Sequence, residues 1–220
     1  MKKIIGIMIL CLLITTAVFA DGSDDQGFGE ILTVKGYVGY NFWYLPSLVG
    51  ADMLFSSIDD GIKFSFGGFA FGTQVLFLDR AGLQVGLGFA MLPMMSVKGD
   101  GAKLGMTLMP LTADLVFNYK KIQYTCLGFG MGFVNFSGQG ENEVGGTSSA
   151  SFTAGSGMVF KFGQGMNYPI TDAIAVDFGI DMYFPLAMGF GGDDELELSP
   201  IMAAILFSQF SLRIGVSYSL

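Results

Sequence analysis

Residues 210–220 read FSLRIGVSYSL, and bulky apolar side chains occupy every second position of this stretch. The positions between them hold serine, arginine and glycine. Successive side chains of a β-strand point to opposite faces, so a period of two indicates a strand rather than a helix. The stretch therefore predicts a strand with one bulky apolar face and one small, polar face.

The same alternation recurs in seven further segments. On this pattern Phe152 belongs to a bulky face together with Met158. Glycines fill much of the opposite face, as at Gly128, Gly130 and Gly132, where each would destabilise a helix by about 1 kcal/mol relative to alanine. The sequence thus predicts eight strands, and the seven added segments begin near residues 32, 69, 83, 111, 127, 152 and 174.

The connections between these segments alternate in length. Short ones fall near residues 80–82, 119–121 and 169–172, and long ones span 46–61, 93–102, 137–151 and 189–200. A three-residue loop at 80–82 would pair Phe77 with Val85 and Leu78 with Gln84, with Gly82 in the left-handed region. Alternating short and long connections are typical of outer-membrane barrels.

A soluble sandwich or a lipocalin-like barrel would show the same alternation, with its polar face in water. Here the small face is rich in glycine and poor in charge, unlike a solvated surface. We therefore predict an all-β fold: an eight-stranded antiparallel up-and-down transmembrane β-barrel over residues 30–220.

The N-terminus predicts export. Met1-Lys2-Lys3 precedes an apolar run from Ile4 to Ile14 and the small-residue exit ending at Ala20, which is the pattern of a cleaved signal peptide. We assign residues 1–20 to this peptide and 21–29 to a flexible periplasmic N-terminus. An uncleaved anchor helix, or a lipid anchor on Cys11, are the alternatives.

Charge and composition exclude several functions. Without Lys2 and Lys3, nine of the 11 basic residues remain against 19 acidic ones, a formal charge of −10, which disfavours nucleic-acid binding. The chain has no histidine, the commonest general base and metal ligand, so we predict no enzyme, no cofactor and no metal site. Cys126 is interpreted as a buried, inert thiol. Asp193-Asp194-Glu195 with Glu197 is either a weak site for a divalent cation or a solvated loop.

Charged residues on the small face should point into the barrel. A connection centred on Glu195 would pair Asp177 with Arg213 and Asp181 with Gln209, and the first strand would close against the eighth. Since an unpaired charge in a low-dielectric lumen is costly, we predict that Asp177, Arg213 and Lys35 form an ion network near the periplasmic end. It is either an electrostatic plug or a charge-lined solute path. The inward charges are Lys35, Asp114, Asp177, Asp181 and Arg213.

Five methionines cluster around the second long connection. Methionine adapts to apolar ligands of variable shape, so these residues are a candidate region for a hydrophobic ligand, with lipid-facing filler as the alternative. They are Met91, Met94, Met95, Met106 and Met109.

Three segments carry a resemblance to a known family. Residues 210–220 resemble the C-terminal assembly signal of bacterial outer-membrane barrels, although the last residue is Leu220 rather than phenylalanine. Residues 109–117 and 168–174 resemble segments of small OmpW-, OmpX- or opacity-type barrels, with a spirochaete-type relative as a further alternative. The resemblance implies insertion by the outer-membrane assembly machinery.

Eight strands leave an interior that is just filled by side chains or holds one small ligand, which argues against a general porin. The leading expectation is a monomeric barrel in outer-membrane lipid, either structural or allowing narrow passage or binding of a small hydrophobic solute. The alternative is a surface adhesin that contacts a host through its acidic, glycine-rich loops.

Overall fold

The computed structural model describes residues 32–43, 62–80, 82–99, 101–119, 122–141, 147–190, 196–198, 204 and 207–220. The predicted signal peptide (1–20) and periplasmic N-terminus (21–29) lie outside these residues. Within the described ranges, no helix is both long and apolar enough to cross a membrane.

Ten strands make up the described fold, and each pairs antiparallel with its neighbours. Their bounds are β1 Thr33–Trp43, β2 Lys63–Phe66, β3 Gly68–Arg80, β4 Leu83–Gly99, β5 Ala102–Tyr119, β6 Gln123–Glu141, β7 Thr147–Pro169, β8 Ile174–Phe190, β9 Leu196–Leu198 and β10 Gln209–Ser219.

Eight of these strands close into a ring in the order β10-β1-β3-β4-β5-β6-β7-β8, and β8 pairs back onto β10. β2 continues along β4 beyond β3, after a break at Gly67, whose φ of 102° is readily adopted only by glycine. β9 pairs with the end of β8. Because the ring is closed, none of its eight strands presents a free edge. The predicted eight-stranded antiparallel barrel is confirmed.

Two predicted registers are wrong in detail. After Phe77 pairs with Val85 as expected, a bulge makes Asp79, not Leu78, the partner of Gln84. Between β8 and β10, Asp177 pairs with Gly215 and Asp181 with Ser211, so the predicted pairings with Arg213 and Gln209 are each two residues off. The connection between β8 and β10 also contains the short strand β9, which pairs back onto β8, a detail that a long connection does not reveal from its sequence.

The barrel is apolar outside and polar inside. Outward side chains such as Phe69 and Ile214 are 85% and 48% exposed, whereas the inward polar side chains are almost fully buried. Phe152 is an exception to the predicted faces. A bulge opposite Val134 and Asn135 moves it to the face of Phe136, on which it stacks with ring centroids 5.8 Å apart, and it stays 65% exposed there.

Polar side chains mark the height of the apolar exterior on β6. Thr125 pairs with Gln164 at the end with short turns, and Asn135 pairs with Thr153 at the other end, where the Thr153 hydroxyl lies 2.6 Å from the Asn135 amide oxygen. Ten residues of β6 separate the two pairs. With a rise of about 3.3 Å per residue and a tilt of about 40°, the apolar band is about 25 Å high. This is the height of the apolar band on barrels that span a membrane.

Candidate functional site

A layer of buried charges crosses the lumen in the half nearer the short turns. All five residues predicted to point inward do so, and each is at most 5% exposed: Lys35, Asp114, Asp177, Asp181 and Arg213. Lys161 joins them at 1% exposure. Three cations thus face three carboxylates, and the layer is formally neutral.

Asp177 lies at the centre of one half of the layer. Its carboxylate is 3.3 Å from Lys35 Nζ and 3.0 Å from an Arg213 guanidinium nitrogen, and Tyr124 donates to it at 2.8 Å. In the amide orientation that satisfies both of its polar atoms, Asn167 donates to Asp177 at 2.6 Å and accepts from Lys35 at 3.1 Å. The structure therefore brings together the three residues expected to form a network.

Arg213 links Asp177 to Asp181, because its Nε lies 2.9 Å from Asp181 Oδ2. Its cross-strand neighbour is Gly179, where an added Cβ would come within 2.9 Å of the same Nε. The missing side chain is what lets the guanidinium lie across β8 and reach both carboxylates. Below it, the Tyr37 ring has its centroid 4.7 Å from the guanidinium carbon, a cation–π contact.

A second ion pair joins Asp114 to Lys161, with 2.9 Å between Oδ2 and Nζ. Thr112 and Gln74 also donate to the Asp114 carboxylate. On the backbone, Gly128 separates Asp114 from Lys161, and an added Cβ there would overlap the carboxylate. Lys161 was not among the five charges that the sequence analysis predicted to point inward, although it lies opposite the bulky face of its segment. The available signal was that Lys161 is the only charged residue in β7.

Asp181 is the least satisfied of the three carboxylates. Its Oδ1 is buried and has no hydrogen-bond donor among the described residues, and its Oδ2 contacts Arg213 at an angle outside hydrogen-bond geometry. Gly163 faces it, and an added Cβ there would overlap Oδ1. Asp181 is thus held by charge rather than by directed hydrogen bonds.

An apolar layer fills the lumen on the side of the long connections. It consists of Ala70, Ala90, Leu92, Met94, Met106, Leu108, Val134, Val159, Tyr183 and Met188, each at most 6% exposed. Trp43, Phe136 and Phe207 pack against it. The lumen is therefore divided into an apolar layer above the charges and a charged layer below.

The five methionines do not line one pocket. Met94 and Met106 belong to the apolar layer and Met95 packs against it. Met91 and Met109 lie half-buried on the outward face of their strands, and Asn135 contacts the Met109 sulfur at 3.3 Å. The candidate ligand region is thus split between the inside and the outside of the barrel.

Cys126 is fully buried in a small cluster with Leu76, Val116 and Tyr124, and its sulfur lies 3.6 Å from the Gln74 amide nitrogen. No group of three or more potential ligands that could hold a metal occurs in the described part of the chain. The acidic run from Asp193 to Glu195 lies outside that part, so its cation binding stays a prediction.

No protein-family model and no curated protein matches the chain. Three solved structures with similar folds are the surface protein NspA of Neisseria, a major outer-membrane protein of Thermus thermophilus and the outer-membrane protein OprG of Pseudomonas aeruginosa. Their identities to this chain are 11%, 15% and 12%, and their TM-scores 0.46, 0.49 and 0.44. The matches cover 86%, 87% and 87% of this chain and 97%, 100% and 96% of those chains. The likeness concerns the fold, which the strand pairing establishes independently: an eight-stranded antiparallel β-barrel.

Proposed function

We propose that the chain is an integral barrel of the bacterial outer membrane whose lumen is sealed by its own charges. It is exported, inserted by the outer-membrane assembly machinery and surrounded by lipid as a monomer. The observation that carries the proposal is the neutral, buried ion network across the lumen, enclosed by an apolar exterior about 25 Å high.

The exposed apolar side chains of the exterior indicate that lipid, rather than water, surrounds the barrel. Large apolar side chains on all eight ring strands are exposed, and a soluble protein rarely exposes so continuous an apolar surface. A closed ring also satisfies its backbone hydrogen bonds internally, which hydrocarbon requires.

The buried charges in the lumen favour a structural role for the barrel over a role as a pore. The charged layer reaches from Lys35 on β1 to Asp114 on β5, three strands away around the eight-stranded ring. A solute passing through it would have to separate buried ion pairs, and leaving one partner of such a pair unpaired costs about 3–5 kcal/mol. Thermal fluctuations rarely supply this free energy, so the buried ion pairs should keep the lumen closed to solutes.

Conductance in planar lipid bilayers tests the plug. The wild-type barrel should show no steady channel, whereas Lys35→Ala combined with Arg213→Ala should conduct small ions, because it removes two long side chains from the layer. Lys98→Ala, an exposed lysine outside the lumen, is the control. Equal conductance of wild type and the double variant would overturn the sealed-lumen proposal.

A second candidate is binding of a small hydrophobic solute on the side of the long connections. The observation in its favour is the segregated apolar layer with Trp43 at its margin. A fatty acid should then change Trp43 fluorescence saturably, and Met94→Gln with Met106→Gln should abolish the effect. Met91→Gln with Met109→Gln is the matched control, because those two side chains face outward. Equal loss in both variants would contradict an interior site.

Host attachment through the acidic, glycine-rich loops stays a prediction. Residues 142–146 and 191–195 lie outside the described part of the chain, and no contact of theirs supports or opposes it.

A further inference from the structure

Three lysines form a row across β2, β4 and β5, beyond the apolar band. Lys63 pairs with Lys98, and Lys98 pairs on its other side with Lys103. All three are exposed, and none forms an ion pair with a described residue. Directly opposed like charges destabilise a sheet, so an anion bound beside the row would stabilise it.

The surface around the row carries mainly hydrogen-bond donors, and one acid on a described strand, Glu141, lies two residues beyond Gln139 on β6. The lysine row continues into Gln139 and Ser149. The next row toward the band consists of Ser65, Ser96, Gly105, Ser137 and Ser151. Ammonium groups flanked by hydroxyl and amide donors suit phosphate oxygens, which accept several hydrogen bonds at once.

The row faces away from the lumen. Lys103 is four residues from Thr107 on β5, so both lie on the same face, and Thr107 pairs with the outward Asn135. The opposite face of the same hairpins carries Phe66 and Met106, on the side of the apolar layer. The lysines therefore point sideways from the barrel wall, toward the surrounding membrane surface.

The backbone of the row lies just above the lipid headgroups, within reach of them for a lysine side chain. Thr107, Asn135 and Thr153 mark the upper edge of the apolar band. Four residues of a strand tilted by about 40° place Lys103 about 10 Å above that edge. The headgroup region is about 5–8 Å thick on each side of the hydrocarbon, and a lysine side chain can extend several ångströms back toward it.

The distribution of charge sets this row apart. Beyond the predicted signal peptide the chain carries nine basic and 19 acidic residues. Three basic residues are sealed in the lumen, three lie near the short turns at positions 80, 120 and 121, and the remaining three form this row. An otherwise acidic chain thus concentrates its outward lysines on that side at one place.

We propose that Lys63, Lys98 and Lys103 bind phosphate groups of lipid headgroups in the outer leaflet. The lysines supply charge, and the neighbouring serine row supplies hydroxyl donors to the same or an adjacent phosphate. This inference rests on the proposed membrane location and adds a ligand class to it.

The test uses the full barrel in phosphatidylcholine nanodiscs doped with either phosphatidic acid or diacylglycerol, which differ only in the phosphate. Native mass spectrometry measures which lipid stays bound. The wild type should retain phosphatidic acid selectively, and K63Q/K98Q/K103Q should bind it about 100-fold more weakly, with most selectivity lost. The arginine triple variant K63R/K98R/K103R should keep the selectivity.

The matched control is R80Q/K120Q/K121Q, which removes equal charge near the short turns and should leave phosphatidic acid retention unchanged. Equal weakening in both glutamine triples would overturn the site, as would retention of both lipids alike. Binding of soluble inorganic phosphate or heparin without selective lipid retention would assign the row to another anion and would overturn the proposal that its ligand is a lipid. Failure of the wild type to enter nanodiscs would contradict the proposed membrane location as well.

Discussion

Removing the charge of Lys161 tests whether the buried ion pairs hold the barrel together. The Lys161 ammonium lies 2.9 Å from the Asp114 carboxylate, and both side chains are at most 1% exposed. At an effective dielectric of about 20 the gross attraction is about 6 kcal/mol, most of it offset by the loss of hydration. Lys161→Met would leave Asp114 buried with only Thr112 and Gln74 as donors. We expect it to lower the free energy of unfolding by about 3 kcal/mol.

The double variant isolates the interaction between the two charges. Asp114→Asn should cost a similar amount, because it leaves Lys161 uncompensated. The combined variant leaves no charge at either position and should be about as stable as either single variant, a coupling energy of about 3 kcal/mol.

Guanidinium unfolding in phosphatidylcholine vesicles, followed by the fluorescence of the single tryptophan, Trp43, measures these energies. Asp172→Asn, at an exposed carboxylate in the turn before β8, is the control and should change stability by no more than about 0.5 kcal/mol. Additive effects of the two substitutions, or a loss below about 1 kcal/mol for Lys161→Met, would refute the argument.

Three further predictions concern the same layer. Gly128→Ala should destabilise the barrel by about 1–3 kcal/mol in the same assay, because the added Cβ overlaps the Asp114 carboxylate. A simple pairing of Asp177 with Arg213 predicts that exchanging the two restores stability, but the observed contacts predict that Asp177→Arg with Arg213→Asp stays destabilised, since the new carboxylate would face Asp181. Cys126 should resist maleimide labelling in the folded barrel and react after unfolding, because it is fully buried.

Each of these has a control and a contrary outcome. Gly36→Ala is matched to Gly128→Ala, because nothing lies within 4 Å of an added Cβ there, and equal losses would contradict the packing argument. Full recovery by the exchanged pair would show that Asp181 does not depend on Arg213. Labelling of Cys126 at equal rates in folded and unfolded protein would mean that the short-turn end of the lumen is open.

The faces of the strands could be predicted from sequence because they depend only on alternation. Lys35, Asp177 and Arg213 were assigned inward on this basis and lie there. The register between β8 and β10 could not be predicted, because a long connection does not reveal where the chain reverses. Bulges shifted the partner of Gln84 and turned Phe152 to the other face. Each bulge adds one residue to one strand, and the period-two pattern of the sequence does not show where that residue is inserted.

The ion pair between Asp114 and Lys161 depended on information that a single strand does not contain. Its two members lie 47 positions apart and meet across Gly128 on the intervening strand. Only the alignment of three consecutive strands shows that the glycine makes space for both. Among the methionines, alternation alone places Met94 opposite Met91 and Met106 opposite Met109, and only the inward position of Met95 depends on the bulge in β4 after Pro93.

The junction between β1 and β10 joins the first described strand to the last, and the charged layer crosses it. Lys35 arrives with the first strand, whereas Asp177 and Arg213 arrive with the final two. A polypeptide truncated before β8 would therefore hold Lys35 without its carboxylate partner, and hydrocarbon does not accept a lone ammonium group. A ring mispaired by a single position would turn these same groups toward the acyl chains. Neutralisation at the junction thus couples stable insertion to synthesis of the entire polypeptide and to its correct alignment.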